Sequence, residues 1–284
     1  MRIRAPAAIT VAAALAMPVA GCAAPSRGPA VSSRGPAASS RGPAASSRPP
    51  SAAARVCGPP DAPGRLITMR ATDGARLAAI EAGAGDRGVV LIPERGQVGK
   101  CGWWEFAAYL AAHGYRVLLF DHRCTGQSGC LPGASGTRLM PDIRAAVARL
   151  HRDGAARVAL VGASQGGSEA LIAGTEPALD VTGIVALSAD ELTVPLASPP
   201  DPATALAAAP RLRRPALFAV AASDPCVSVR ETRTLVARAG SRSKHLVVAG
   251  AGAGHGWELV APRPGGAPSR VSRTVLAFLR DVTS

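Results

Sequence analysis

Aromatic residues supply only 3% of this 284-residue chain. That scarcity argues against nucleic-acid binding, which pairs positive charge with flat side chains that stack on bases. Acidic residues are missing altogether from the first 55 positions, which carry seven arginines. The formal charge is +13 overall, which leaves +6 for residues 56–284. From Arg27 to Arg55 the arginines recur every seventh residue instead of clustering. This pattern suits a solvated, self-repelling segment able to skim an anionic lipid surface. The apolar run from Ala7 to Ala16 is too short to cross a bilayer as a permanent helix. No CxxC pair and no His/Cys spacing of a zinc site occurs; the chemistry the chain offers calls for neither a metal nor an organic cofactor.

What the N-terminus does contain is Arg2 and Arg4, the apolar run, and Val19-Ala20-Gly21-Cys22. This charged, apolar and small-residue order is that of a secretory signal over residues 1–21. Its end resembles the bacterial lipobox, which implies a lipidated Cys22 as the first mature residue. Export and a lipid anchor at the outer face of a bacterial cell membrane follow as expectations. The unit Ser-Ser-Arg-Gly-Pro-Ala-Ala occurs at 32–38 and again at 39–45. Residues 22–60 are accordingly expected to form a disordered spacer, because they can bury too little apolar surface to offset ordering.

Residues 61–284 alternate short apolar runs with helical stretches, the signal of an α/β sheet. A hairpin is expected from Leu66–Met69 and Arg76–Ala82, turning at Asp73-Gly74. Further strands are expected at 88–92, 115–120, 157–161, 181–188, 216–221 and 244–248. Helices are expected at 103–112, 141–152, 168–173, 229–239 and 270–282. Trp103, Phe106, Ala107 and Leu110 share one helical face and read as core. Only about 25 residues, Glu191 to Pro215, separate two of the strands. They leave room for a crossover helix near 202–209 and for little or no cap.

The candidate chemistry centres on Gly162-Ala163-Ser164-Gln165-Gly166, between an apolar strand and a helix. Glycines two before and two after the serine remove side chains that a sharp strand-to-helix turn would crush. The turn would expose the Ser164 hydroxyl, with the Gln165 N–H at the helix start pointing the same way. Parallel sheets bind ligands at the carboxyl ends of their strands, so the base and acid are sought there. His255, in a glycine-flanked loop after strand 244–248, is the candidate base. His113, His122, His151 and His245 read as packing or solvent residues. Asp224, after strand 216–221, is the candidate acid that orients the imidazole; Asp190 is the rival, and Asp121 reads as structural.

These features resemble the α/β-hydrolase fold superfamily over roughly residues 65–283. The elbow, the order Ser164, Asp224, His255, and Asp121-His122-Arg123 with Gly126 and Ser128 carry the likeness. It implies an eight-stranded, mostly parallel twisted sheet with helices on both faces. It also implies a serine esterase working through an acyl-enzyme on a small acyl substrate. Two departures stand out. Pro93-Glu94 replaces the family's His-Gly after the third strand, where a backbone N–H completes the oxyanion hole. Arg95 is the first choice for that donor beside Gln165, and Glu94 the second. Cys124 stands where the strand-four motif has glycine, which favours a disulfide over a nucleophilic thiol. In such a sheet Cys101 and Cys124 follow adjacent strands and are the first expected pair; Cys130–Cys226 is the second, leaving Cys57 odd. A peptidase or amidase of the same fold, or a catalytically silent surface-binding protein, stands as the alternative function. Oligomeric state is left open.

Overall fold

A computed structural model describes residues 50–58, 60, 62–96, 98–131, 140–190, 204–263 and 265–284. The expected signal, Cys22, most of the spacer and the cap segment at 191–203 lie outside the described residues. The strands are β1 (Gly64–Arg70), β2 (Arg76–Ala82), β3 (Arg87–Ile92), β4 (Tyr115–Phe120), β5 (Arg157–Ala163), β6 (Gly183–Leu187), β7 (Ala216–Ala221) and β8 (Lys244–Ala249). They form one sheet in the order β1-β2-β4-β3-β5-β6-β7-β8. β2 pairs antiparallel with both β1 and β4, and every remaining pairing is parallel.

Sequence explains this layering directly. Val89 and Leu91 of β3 enter one core, while Val90 and Ile92 enter the other; Val158 and Leu160 of β5 oppose Ala159 and Val161 in the same way. Strands buried on both faces read as unbroken apolar runs, whereas edge strands alternate. Every residue of β6 and β7 is buried, but β1 and β8 at the two edges are half-exposed. The first core is covered by α3 (Met140–Arg152), α4 (Gln165–Ala173), α5 (Ala205–Ala208) and α6 (Val229–Arg238). The second is covered by α1 (Ala52–Cys57), α2 (Trp104–Ala112) and α7 (Arg270–Val282). α7 shows why such helices form: Val271, Val275, Leu276, Phe278 and Leu279 make one buried stripe, and Ser269 caps its start.

The expected elements are present with small shifts. α4 begins at Gln165, directly behind the elbow, and Trp103 ends a 3₁₀ turn (Gly99–Trp103) ahead of α2. Two expectations need correction. The spacer does not run to residue 60, because α1 is ordered by a Ser51 cap and packs Ala53 into the core. The Trp104 indole N–H bonds the carbonyls of Gly58 (3.0 Å) and Pro60 (2.9 Å), tying that segment down.

The disulfides are Cys57–Cys101 and Cys124–Cys130, not Cys101–Cys124 or Cys130–Cys226. Adjacency in the sheet misled because α1 brings Cys57 to the 3₁₀ turn. Cys124 and Cys130 instead close a tight turn in which Cys124 N–H bonds the Gly129 carbonyl at 3.1 Å. Among the described residues, Cys226 belongs to neither bridge.

The two bridges span 44 and 6 positions of sequence. On the chain-entropy model, replacing Cys57 and Cys101 together by alanine is expected to lower unfolding free energy by about 4 kcal/mol, against about 2 kcal/mol for Cys124 with Cys130. Urea unfolding of the two double variants under non-reducing conditions measures the difference.

Candidate active site

The carboxyl ends of β5, β6, β7 and β8 deliver the polar side chains of one corner. At the end of β5 the backbone turns through Ser164 with φ 51° and ψ −120°, a conformation that side chains rarely adopt. The flanking glycines are sterically required: a Cβ on Gly162 would run into the Gly166 carbonyl, and one on Gly166 into the carbonyls of Ile92 and Pro93. The Ser164 N–H is anchored to the Leu187 carbonyl at 2.8 Å. Gln165 is the first residue of α4, so its N–H has no acceptor within the helix and stands beside the serine.

His255 Nδ1 lies 2.9 Å from Asp224 Oδ1. An ionised Asp224 accepts that bond, so the neutral imidazole carries its proton on Nδ1 and its lone pair on Nε2. Nε2 is buried and has no hydrogen-bond partner among the described residues. The loop that carries His255 passes close to the elbow strand: a Cβ on Gly256 would reach 3.4 Å from the side chain of Ala163, the residue before Ser164.

Asp224 is held on every side. Oδ1 also accepts the N–H groups of Cys226 (2.9 Å) and Val227 (3.0 Å), and Oδ2 accepts the Ser188 hydroxyl at 2.6 Å. Burial opposes ionisation of Asp224, but bonds from His255, Ser188 and the two amides prevail and hold it below the ordinary carboxylate range. For His255, burial pushes down, yet the Asp224 bond and field, with Glu94 and Asp190 beyond, hold it above the ordinary value.

Ser188 was not singled out from the sequence. It directly follows β6 with φ 47° and bridges the base loop to the acid, because its oxygen also accepts the Gly256 N–H at 3.1 Å. Its position at a strand end beside the elbow strand was the available signal.

The loop after β3 carries the two remaining expectations. Arg95 Nε donates to Gln165 Oε1 at 2.7 Å, and Gln165 Nε2 donates to Glu169 Oε1 at 2.7 Å. The loop holding one candidate oxyanion donor is therefore pinned to the helix holding the other. Glu169 Oε2 sits 3.3 Å from His122 Nε2, an ion-pair distance. Burial disfavours charge on both partners: it drives Glu169 well above the carboxylate range and drives His122 down to about 4.

Glu94 turns its carboxyl onto Gly256, where a Cβ would collide with Oε2. The departure Pro93-Glu94 thus fits the glycine after His255. Burial pushes Glu94 from 4.5 up to about 7, with Glu258 and Asp224 adding to the rise and His255 and the Trp257 N–H opposing it.

The other sequence candidates are engaged elsewhere. Asp190 accepts the Ser168 hydroxyl, 3.2 Å from Oδ1, so Asp224 and not its rival is bonded to His255. Asp121 forms a buried ion pair with Lys100 at 2.6 Å. His113 Nδ1 lies 2.7 Å from the Tyr109 carbonyl, His151 Nδ1 lies 2.8 Å from that of Ala155, and His245 meets the edge of Phe278. Asp224, Cys226 and His255 together offer three ligand atoms within 4.8 Å of one another, the one such cluster among the described residues.

A family model described as serine aminopeptidase, S33, matches residues 87–201, a span that includes Ser164 and stops short of Asp224 and His255. No curated protein matches the chain by sequence. Among solved structures, an esterase of Pyrococcus furiosus is 19% identical with a TM-score of 0.65, over 78% of this chain and 92% of its own. A thermophilic esterase of Thermogutta terrifontis is 17% identical with a TM-score of 0.61, over 78% and 100%. A monoacylglycerol lipase of Paleococcus ferrophilus is 17% identical with a TM-score of 0.57, over 72% and 98%. With the strand order above, these likenesses define the class: the protein has the α/β-hydrolase fold.

Glu94 makes stability depend on pH in a definite direction. Below 4.5 its carboxyl is protonated folded or unfolded, and its burial is fully tolerated. As pH rises toward about 7 the unfolded chain releases the proton first, so stability is lost across that window. Glu94→Gln is expected to recover up to about 3 kcal/mol at pH 8 relative to pH 4, measured by urea unfolding at both. The same variant removes a negative neighbour from His255, so its ring titration, followed by NMR, is expected to move to lower pH.

Proposed function

We propose that the protein is a serine hydrolase that cleaves carboxylic esters through an acyl-enzyme. The observation that supports this reading is the Nδ1–Asp224 bond, which leaves the buried His255 Nε2 lone pair unpartnered among the described residues, in a loop that approaches the elbow strand at Ala163. Ser164 Oγ attacks the acyl carbonyl while Nε2 takes its proton. Asp224 keeps the ring oriented and stabilises the imidazolium that forms. The backbone N–H groups of Gln165 and Arg95 receive the developing oxyanion. The imidazolium then gives its proton to the departing alcohol, and water, deprotonated by the same Nε2, releases the acid.

A short connection between β6 and β7 supports an open pocket for small or externally presented acyl groups. We further propose that lipidated Cys22 holds the enzyme at the outer face of a bacterial membrane, with the arginine-bearing spacer lifting it off the surface. No helix among the described residues is long and apolar enough to cross a membrane. The matched family description supports a second reading, an aminopeptidase or amidase using the same residues.

An alkyl fluorophosphonate is expected to label the wild-type protein and not Ser164→Ala. Absence of labelling would favour a silent binding protein. Turnover of p-nitrophenyl acetate beside an aminoacyl anilide separates esterase from amidase, with the ester expected to be faster. Ser188→Ala takes a hydrogen bond from a buried carboxylate, a loss of about 1.5–3 kcal/mol. It is expected to lower kcat about 10- to 100-fold with little change in KM, read from ester kinetics.

A further inference from the structure

We propose that Asp224, Cys226 and His255 form a zinc-binding site, and that a zinc ion held there disarms the serine centre. The disarming step rests on the hydrolase reading above; the site itself does not. Thiolate, imidazole and carboxylate are the ligand set that zinc prefers, while calcium and magnesium require oxygen. Tetrahedral zinc with bonds of about 2.0–2.3 Å separates its ligand atoms by roughly 3.3–3.6 Å. One ligand atom from each residue already lies within 4.8 Å of the others, and the Nδ1–Oδ1 gap is 2.9 Å. Opening that gap by a few tenths of an ångström, with a small closing movement of Cys226 Sγ, creates the site.

The surroundings favour occupancy. Ser188 and the amides of Cys226 and Val227 already hold the Asp224 carboxylate in place, the role that outer partners play around metal ligands. Half-buried Cys226, in neither disulfide, gives a route of approach to buried His255. One thiolate and one carboxylate balance the two positive charges of the ion, so the occupied site carries no net charge into a partly buried corner.

The inhibitory consequence follows from the ring's two nitrogens. Zinc takes the Nδ1 lone pair, so the proton resident on Nδ1 moves to Nε2, and the thiol proton leaves to solvent. Nε2 then holds a hydrogen where Ser164 needs a lone pair. The imidazole stays neutral and loses its capacity as a base.

Zinc titration calorimetry on the full-length wild-type protein, Ser164→Ala and Cys226→Ala tests the site without requiring any activity. One zinc per chain is expected to bind the first two alike, and Cys226→Ala more weakly by well over about 10-fold. Should Cys226→Ala not fold, cobalt(II) added to wild type is expected to give a thiolate-to-cobalt charge-transfer band that zinc abolishes. No zinc binding by wild type, binding indifferent to Cys226→Ala, or cobalt binding without that band would each overturn the site. In the wild type, zinc is also expected to block fluorophosphonate labelling and a chelator to restore it. Undiminished labelling of zinc-loaded protein would overturn the disarming step. Labelling that fails even without zinc is a failure of the hydrolase reading alone, because the calorimetry stands apart from it.

Discussion

The left-handed backbone at Ser164 is the constraint on which the corner is built. Such a conformation costs about 1–3 kcal/mol and persists only where its surroundings over-determine it. Here the Leu187 carbonyl holds the Ser164 N–H from β6, and the absence of side chains on Gly162 and Gly166 lets α4 start against the carbonyls of β3. Three neighbouring strands therefore meet at one residue. That convergence puts the serine at the carboxyl edge of the sheet and sets the first turn of α4 beside it.

Around this turn the protein divides its carboxyl groups by environment. Asp224 is half-buried yet surrounded by donors, so it stays ionised and fixes the tautomer of His255. Glu94 and Glu169 are buried with too few donors, and burial raises both. Glu169 thereby sits between Gln165, whose amide it accepts, and His122 in the loop after β4. Burial of Glu94 and Glu169 thus disfavours negative charge that would repel Asp224 and oppose any oxyanion formed there. The replacement of His-Gly by Pro93-Glu94 is compatible with the site for this reason: the Glu94 carboxyl turns to Gly256, which has no side chain to obstruct it.

Much of the architecture was legible in one dimension because the relevant signals are local. The run at 216–221 is apolar at every position and that at 115–120 at every position but Arg116, as doubly covered strands require, and the stripe on 270–282 has helical spacing. The elbow was legible because glycine spacing reports a steric need of its immediate neighbours. The disulfides were not. Which cysteines meet depends on the path of α1 and on the tightness of the turn after β4, and neither leaves a periodic trace. Ser188 escaped notice for a related reason: a place at a strand end is a weak signal until its hydroxyl is seen between the Asp224 carboxylate and the Gly256 N–H.

By itself the sequence determined the alternation of strands and helices, the elbow at Ser164, and the candidacy of His255, Asp224 and its rival Asp190 by their places at strand ends. Hydrophobic period and strand-end position are properties of short segments, so they survive without three-dimensional information. Tertiary structure alone decided the cysteine pairing, which aspartate bonds His255, the burial of Glu169, the seating of Glu94 on Gly256, and the approach of Cys226 to the His255–Asp224 pair. Each of these depends on burial or on distance between segments remote in the chain, quantities that exist only once the sheet has closed its order and the helices have covered it.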